Sequence, residues 1–181
     1  MAISIAPTGD YIAMMTGGLW TISLNRRTEQ VGGLDHSPAA ICVNYIVNDL
    51  SGFTDPADDS DWPMFIGHVP EIIEDCAGVF DTSGIIDGRY MTGDTIDHYG
   101  IEIMVRSRSY ETGYEKINTL VELLDTMHRE DLTIGDDSYR IQAFTRTSSV
   151  GFLGIENERI DRNKKRRFVF STNFLVSVTK I

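Results

Sequence analysis

The stretch with the strongest look of chemistry is Asp81-Thr82-Ser83-Gly84, followed by Ile85-Ile86-Asp87-Gly88-Arg89. In an aspartic protease, an Asp-Thr pair needs glycine directly after the threonine, so that the backbone can turn tightly beneath the carboxylate. A second carboxylate must then come close enough to share a proton. Ser83 occupies the glycine position, and the stretch reads instead as a strand ending in a polar turn. A metal-dependent nuclease would place an aspartate on one strand and Glu-x-Lys on the next, carboxylates for the metal and lysine for the phosphate. No Glu-x-Lys occurs, and Glu102 is left facing solvent or a neighbour. His36, His68, His98 and His128 are spread without the pairing that metal ligation favours. Gly-x-x-x-x-Gly-Lys, Gly-x-Gly-x-x-Gly and Gly-x-Ser-x-Gly are all missing. Cys42 and Cys76 have no cysteine at metal-ligand spacing and read as buried free thiols. These observations assign no catalytic residue, no metal and no cofactor.

Charge is the next source of function. The chain has 16 Lys and Arg against 27 Asp and Glu, a net charge of −11, which disfavours general binding to nucleic acid phosphates. Two segments depart from the average. Arg159, Arg162, Lys164, Lys165, Arg166 and Arg167 crowd one short stretch, and Asp49, Asp55, Asp58, Asp59 and Asp61 crowd another with no basic residue among them. Three readings stay open: both are solvated loops; they meet across a boundary between subunits, a contact that closes into a ring when the rotation permits; or the basic one lines a channel that carries DNA. No apolar run approaches the ~20 residues that span a bilayer, and no basic n-region precedes Met1 to Ala6. A soluble protein made in a cytoplasm, with no membrane partner, is expected.

The elements that position these residues are well punctuated. At 181 residues one well-buried core is expected. Ser37 is a candidate N-cap with Pro38 at the first helical position; Ile41, Tyr45, Ile46 and Leu50 follow, and Gly52 stands at the stop. A strand is predicted from Trp62 to Ile66 and another from Ile72 to Phe80, with Gly84, Gly88 and Gly93 marking a long connection. From Tyr99 to Arg106 the pattern has period two, Ile101, Ile103 and Val105 against Glu102 and Arg106. Ser109 caps a second helix running to His128, with Glu111 in its first turn and Tyr114, Ile117, Leu120, Val121, Leu124 and Met127 on one stripe. Leu132 to Ile134 and Tyr139 to Phe144 flank the turn residues Gly135-Asp136-Asp137. An extended piece surrounds Val150 to Ile155, and a long final strand, expected to be central, carries Phe168, Phe170, Phe174, Val176 and Val178 on one side. The sum is an α+β fold, a mixed, mostly antiparallel sheet with two main helices packed on it. Residues 1–36, rich in glycine, read as an N-terminal arm or extra strands, with a short strand at Trp20 to Leu24; residues 37–181 read as a single domain.

The order of these pieces resembles the tail terminator proteins of tailed bacteriophages, also filed as minor capsid proteins. Gly100 to Lys116 is similar to that family's strand, Arg, short gap, Tyr and helix. Met64 to Pro70 resembles its short strand with a Gly-x-x-Pro turn, and Val79 to Gly84 its strand with Asp-Thr, a small residue and Gly. Arg167 to Phe174 is similar to its closing strand, and the resemblance runs from Ser37 to the end. It implies a non-enzymatic virion protein at the tail–neck junction: a hexameric ring of copies of this chain that caps the tail tube, ends its growth and joins tail to head. The implied partners are the tail-tube protein and a head-connector or stopper protein, with genomic DNA passing through the ring without sequence-specific binding. Candidate interface residues are Arg159, Arg162, Lys164, Lys165, Arg166 and Arg167, the aspartates Asp55, Asp58, Asp59 and Asp61, and Arg106 and Arg108 beside the strand–helix turn. The alternatives are another neck component, such as a head-completion or stopper protein, and more remotely a metal-dependent nuclease.

Overall fold

A computed structural model describes residues 11–16, 19–24, 34–50, 52–56, 62–89, 95–156 and 166–181. The chain divides into two compact units, Met1–Gly33 and Leu34–Ile181. The first holds an antiparallel hairpin of β1 (Tyr11–Thr16) and β2 (Leu19–Leu24), paired from Tyr11↔Leu24 to Thr16↔Leu19.

The second unit contains α1 (Pro38–Asp49), β3 (Met64–Ile66), β4 (Cys76–Arg89), β5 (Thr95–Ser107), α2 (Tyr110–Thr126), β6 (Glu130–Ile134), β7 (Asp137–Arg146), β8 (Gly151–Glu156) and β9 (Arg167–Lys180). Its seven-stranded sheet has the order β3-β4-β5-β9-β7-β6, with β8 paired to β9. Only the β3–β4 pair is parallel, so the α+β, mostly antiparallel expectation holds. The final strand is central as expected: β5 pairs along one edge, and β7 and β8 share the other.

Both helices form where their caps predict. The Ser37 hydroxyl accepts the Ala40 amide at 3.2 Å, and Pro38 sits in the first turn. The Ser109 hydroxyl accepts the Thr112 amide at 3.4 Å, with Glu111 beside it. Both helices cover one face of the sheet. Ile41, Cys42, Tyr45 and Ile46 of α1 and Ile117, Leu120, Val121 and Leu124 of α2 enter one core with Val79, Ile101, Ile103, Val105, Tyr139, Ile141, Phe170, Phe174 and Val176. Helix α1 touches β3 and β4 at one end of the strand order and β6 at the other, so the sheet curls around it. Gly113 lets α2 lie close: a Cβ there would meet the Phe170 ring at 2.8 Å and Ser107 Cβ at 3.0 Å. The two cysteines are free and buried.

Two boundaries differ from the sequence reading. The strand expected from Ile72 starts at Cys76; residues 68–75 form a strap, because β5 ends just beyond the Cys76↔Arg106 pair and gives way to α2. The long connection expected at Gly84 and Gly88 is β-structure: β4 continues to Arg89 against Thr95–His98. The register shifts between Thr82 and Ile85 and again between Ile86 and Arg89, where Gly88 takes φ +119°. Glycine in a strand can mark a bulge as well as a break, and here it marks bulges. Asp81 therefore lies within a strand, and its carboxylate accepts the Ala39 amide at 2.8 Å, tying the first turn of α1 to the sheet.

Candidate functional site

The junction where β5 hands over to α2 gathers a dense set of polar contacts. Asp75, at the end of the strap, is its hub. One carboxylate oxygen accepts the Ser107 hydroxyl and the Arg108 amide, each at 2.9 Å, and the other accepts Arg108 Nε at 2.7 Å. Glu74 lies 3.3 Å from the same guanidinium. Burial opposes ionisation of Asp75, yet the three donors together outweigh it, and its pKa lies below the ordinary aspartate value. A cleft of about 640 Å³ opens beside this hub, lined by Gly52, Trp62, Ser109, Thr112 and Lys116 among others. The Lys116 ammonium sits 5.3 Å from the Phe53 ring and 5.6 Å from the Trp62 ring, a cation–π arrangement at the cleft wall.

Beneath the strap, on the face of the sheet away from the helices, lie two buried arginines. Arg106 is 3% exposed and donates through Nη2 to the carbonyls of Pro70 and Ile73, and through Nη1 to Glu156 at 3.4 Å. Arg167, 8% exposed, has Nη1 4.0 Å from the same Glu156 carboxylate. One half-exposed glutamate thus faces two guanidinium groups, and Arg106 Nε with Arg167 Nε and Nη1 stay without hydrogen bonds among the described residues.

Two apolar surfaces remain open. Tyr110 and Tyr114 of α2 stack at 6.3 Å, and Tyr110 meets Phe152, Phe168 and Phe170 edge-on at 5.4, 5.8 and 5.1 Å. Phe152 is 46% exposed and the bulged Leu153 beside it 57%, on a strand whose outer edge is unpaired among the described residues. The second surface is the β4–β5 ribbon, exposed from Asp81 to Gly88, with Ile85 at 55% and Ile86 at 68%.

The candidate interface residues read from the sequence fall into three groups. Arg108, Arg166 and Asp55 are at the surface. Arg106 and Arg167, expected at an outer boundary, are instead buried within the subunit: the strap carbonyls of Pro70 and Ile73 cap Arg106, and Glu156 of β8 lies against both guanidinium groups. Arg159, Arg162, Lys164, Lys165, Asp58, Asp59 and Asp61 lie outside the described residues. Sequence reasoning missed Asp75 as a hub, which no local pattern announces. It also missed the aromatic patch, whose signal was Tyr110 and Tyr114 one helical turn apart with Phe152, Phe168 and Phe170 on paired strands.

A rigid α+β body with an open strand edge, an aromatic patch and an exposed ribbon has the features of a subunit built to be joined to others. The family comparison gives that class its identity. Residues 46–180 match the family model described as bacteriophage tail terminator protein, and the chain belongs to that family, a structural component of the phage tail and virion. No individual curated protein matches the chain. Among the described residues no group of three His, Cys, Asp or Glu is placed to hold a metal, and no helix is long and apolar enough to cross a membrane.

Proposed function

We propose that copies of this chain form a hexameric ring on the last ring of tail-tube subunits, end tube growth there, and present a surface to the head connector at the tail–neck junction. Family membership over residues 46–180 carries the reading. The fold supplies a physical basis for it. A sheet with a helix layer on one face, cross-tied by Asp81, Asp75 and Arg106, resists bending and so fixes the angle between neighbouring copies. The net charge of −11 lets DNA pass without adhering. Arg166, with Arg159, Arg162, Lys164 and Lys165, and the aspartates Asp55, Asp58, Asp59 and Asp61 select the neighbour by charge. The test is native mass spectrometry of the purified chain mixed with tail-tube protein of the same phage. A complex of equal copy numbers of the two proteins supports the reading. Failure of the chain to associate with the tube protein overturns it.

A further inference from the structure

We propose that the ribbon of one copy, β4 and β5 around Ile85 and Ile86, seats on the outer edge of β8 and the adjoining aromatic patch of the next copy. The inference rests on the ring reading and names the surfaces that would join its members.

The two surfaces match in chemistry. The ribbon offers exposed isoleucines, and the patch offers Phe152, Leu153, Tyr110 and Tyr114. Both have free strand edges: β4 pairs with β3 only from Ala77 to Val79, which leaves its outer edge open from Phe80 onward among the described residues, and β8 pairs only with β9. An open edge of this kind is a template for a strand from another chain. Among the described residues, the ribbon carries exposed Asp81 and Asp87, and Arg166 is exposed beside the end of β8, where Glu156 pairs with Arg167. Complementary charge steers encounter and fixes register.

The register also excludes closure within one copy. Ile86 pairs with Asp97, whereas Phe152 pairs with Phe170, which pairs with Val105. Eight residues along β5 and three strand spacings across the sheet separate the two sites, about 30 Å in all at strand dimensions. Both sites belong to one continuous sheet and cannot meet, so a contact between them joins two copies. Because the surfaces differ, the contact is head-to-tail, and repeating it generates a ring or a filament rather than a closed dimer.

Cysteine cross-linking on tail tubes carrying the full-length chain tests the pairing. Ile86→Cys and Leu153→Cys both fall on exposed side chains, and the native thiols are buried. With a short bis-maleimide, the double variant should give a ladder of covalent oligomers ending at the copy number of the assembled ring. A mixture of the two single variants should stop at dimer, and Leu153→Cys combined with Thr133→Cys, on the far edge strand β6, should stay monomeric. If microscopy of the same sample shows capped tubes but no ladder appears, the pairing is wrong and the ring reading stands. If neither ladder nor capped tubes appear, both fall.

Discussion

Replacing Arg106 by methionine is the sharpest test of the physical account, because this arginine belongs to the strand–Arg piece that resembles the family and yet faces inward. Its guanidinium holds the strap through the carbonyls of Pro70 and Ile73. Methionine keeps much of the volume and removes every donor. Two half-buried carbonyls lose their partner, at about 1–3 kcal/mol each. The loss is offset in part, because the unpartnered Nε no longer has to be buried and the crowding of Arg106 and Arg167 about one glutamate is relieved. Glu156 is half exposed and retains Arg167, so the cost falls toward the low end of the ~3–5 kcal/mol seen when a buried ion pair loses one member. The expected net destabilisation is about 3 kcal/mol. For a domain of about 150 residues that lowers Tm by about 6–12 °C. Circular-dichroism melting of the purified chain reads the shift, and limited proteolysis reads the release of residues 68–75, which should be cut faster in the variant. Arg106→Lys, with one charged group and no planar fork, should fall between the two. A melting curve for Arg106→Met that superimposes on the wild type would refute the claim that this arginine is a clamp.

Asp81→Ala should lose about 1 kcal/mol by chemical denaturation, whereas Asp81→Asn, which keeps an acceptor for the Ala39 amide, should lose much less; equal losses would contradict a capping role. Gly113→Ala gains about 1 kcal/mol of helix propensity but crowds Phe170 and Ser107 at a cost of about 1–3 kcal/mol, so a lower urea midpoint is expected, and a raised midpoint would contradict the close packing. Asp75 has a folded-state pKa below its unfolded one, so its contribution is complete at neutral pH and is lost as the pH falls through the folded value. Stability followed from neutral to acid pH should therefore decline more steeply in the wild type than in Asp75→Asn, and parallel curves would contradict the hub.

Local chemistry made much of this fold legible. Ser37 with Pro38, and Ser109 with Glu111, mark helix starts because capping is decided within one turn. The alternation in Ile101, Ile103 and Val105 and in Phe174, Val176 and Val178 marks strands because their faces differ so sharply in burial. Where partners are distant in the chain, the reading failed. Gly84 and Gly88 look like loop residues until β5 is seen pairing across them. Arg106 looks like a surface charge until the strap is folded over it, because the carbonyls that bind it come from residues more than thirty positions away. Tyr114 fits the apolar stripe of α2 but is half exposed, stacked on Tyr110 and tilted against Phe170 at the rim of the patch. Surface sites made from several elements are the least legible, because no single segment carries their pattern.

The central claim is that this chain stops tail-tube growth, and the tail-length distribution of a phage carrying an amber codon in its gene tests it most directly. Electron microscopy of a non-suppressing infection should show tubes extending past the normal length, detached from full heads, with length control restored when the chain is supplied from a plasmid. Tails of normal, uniform length in the absence of the protein would contradict the account.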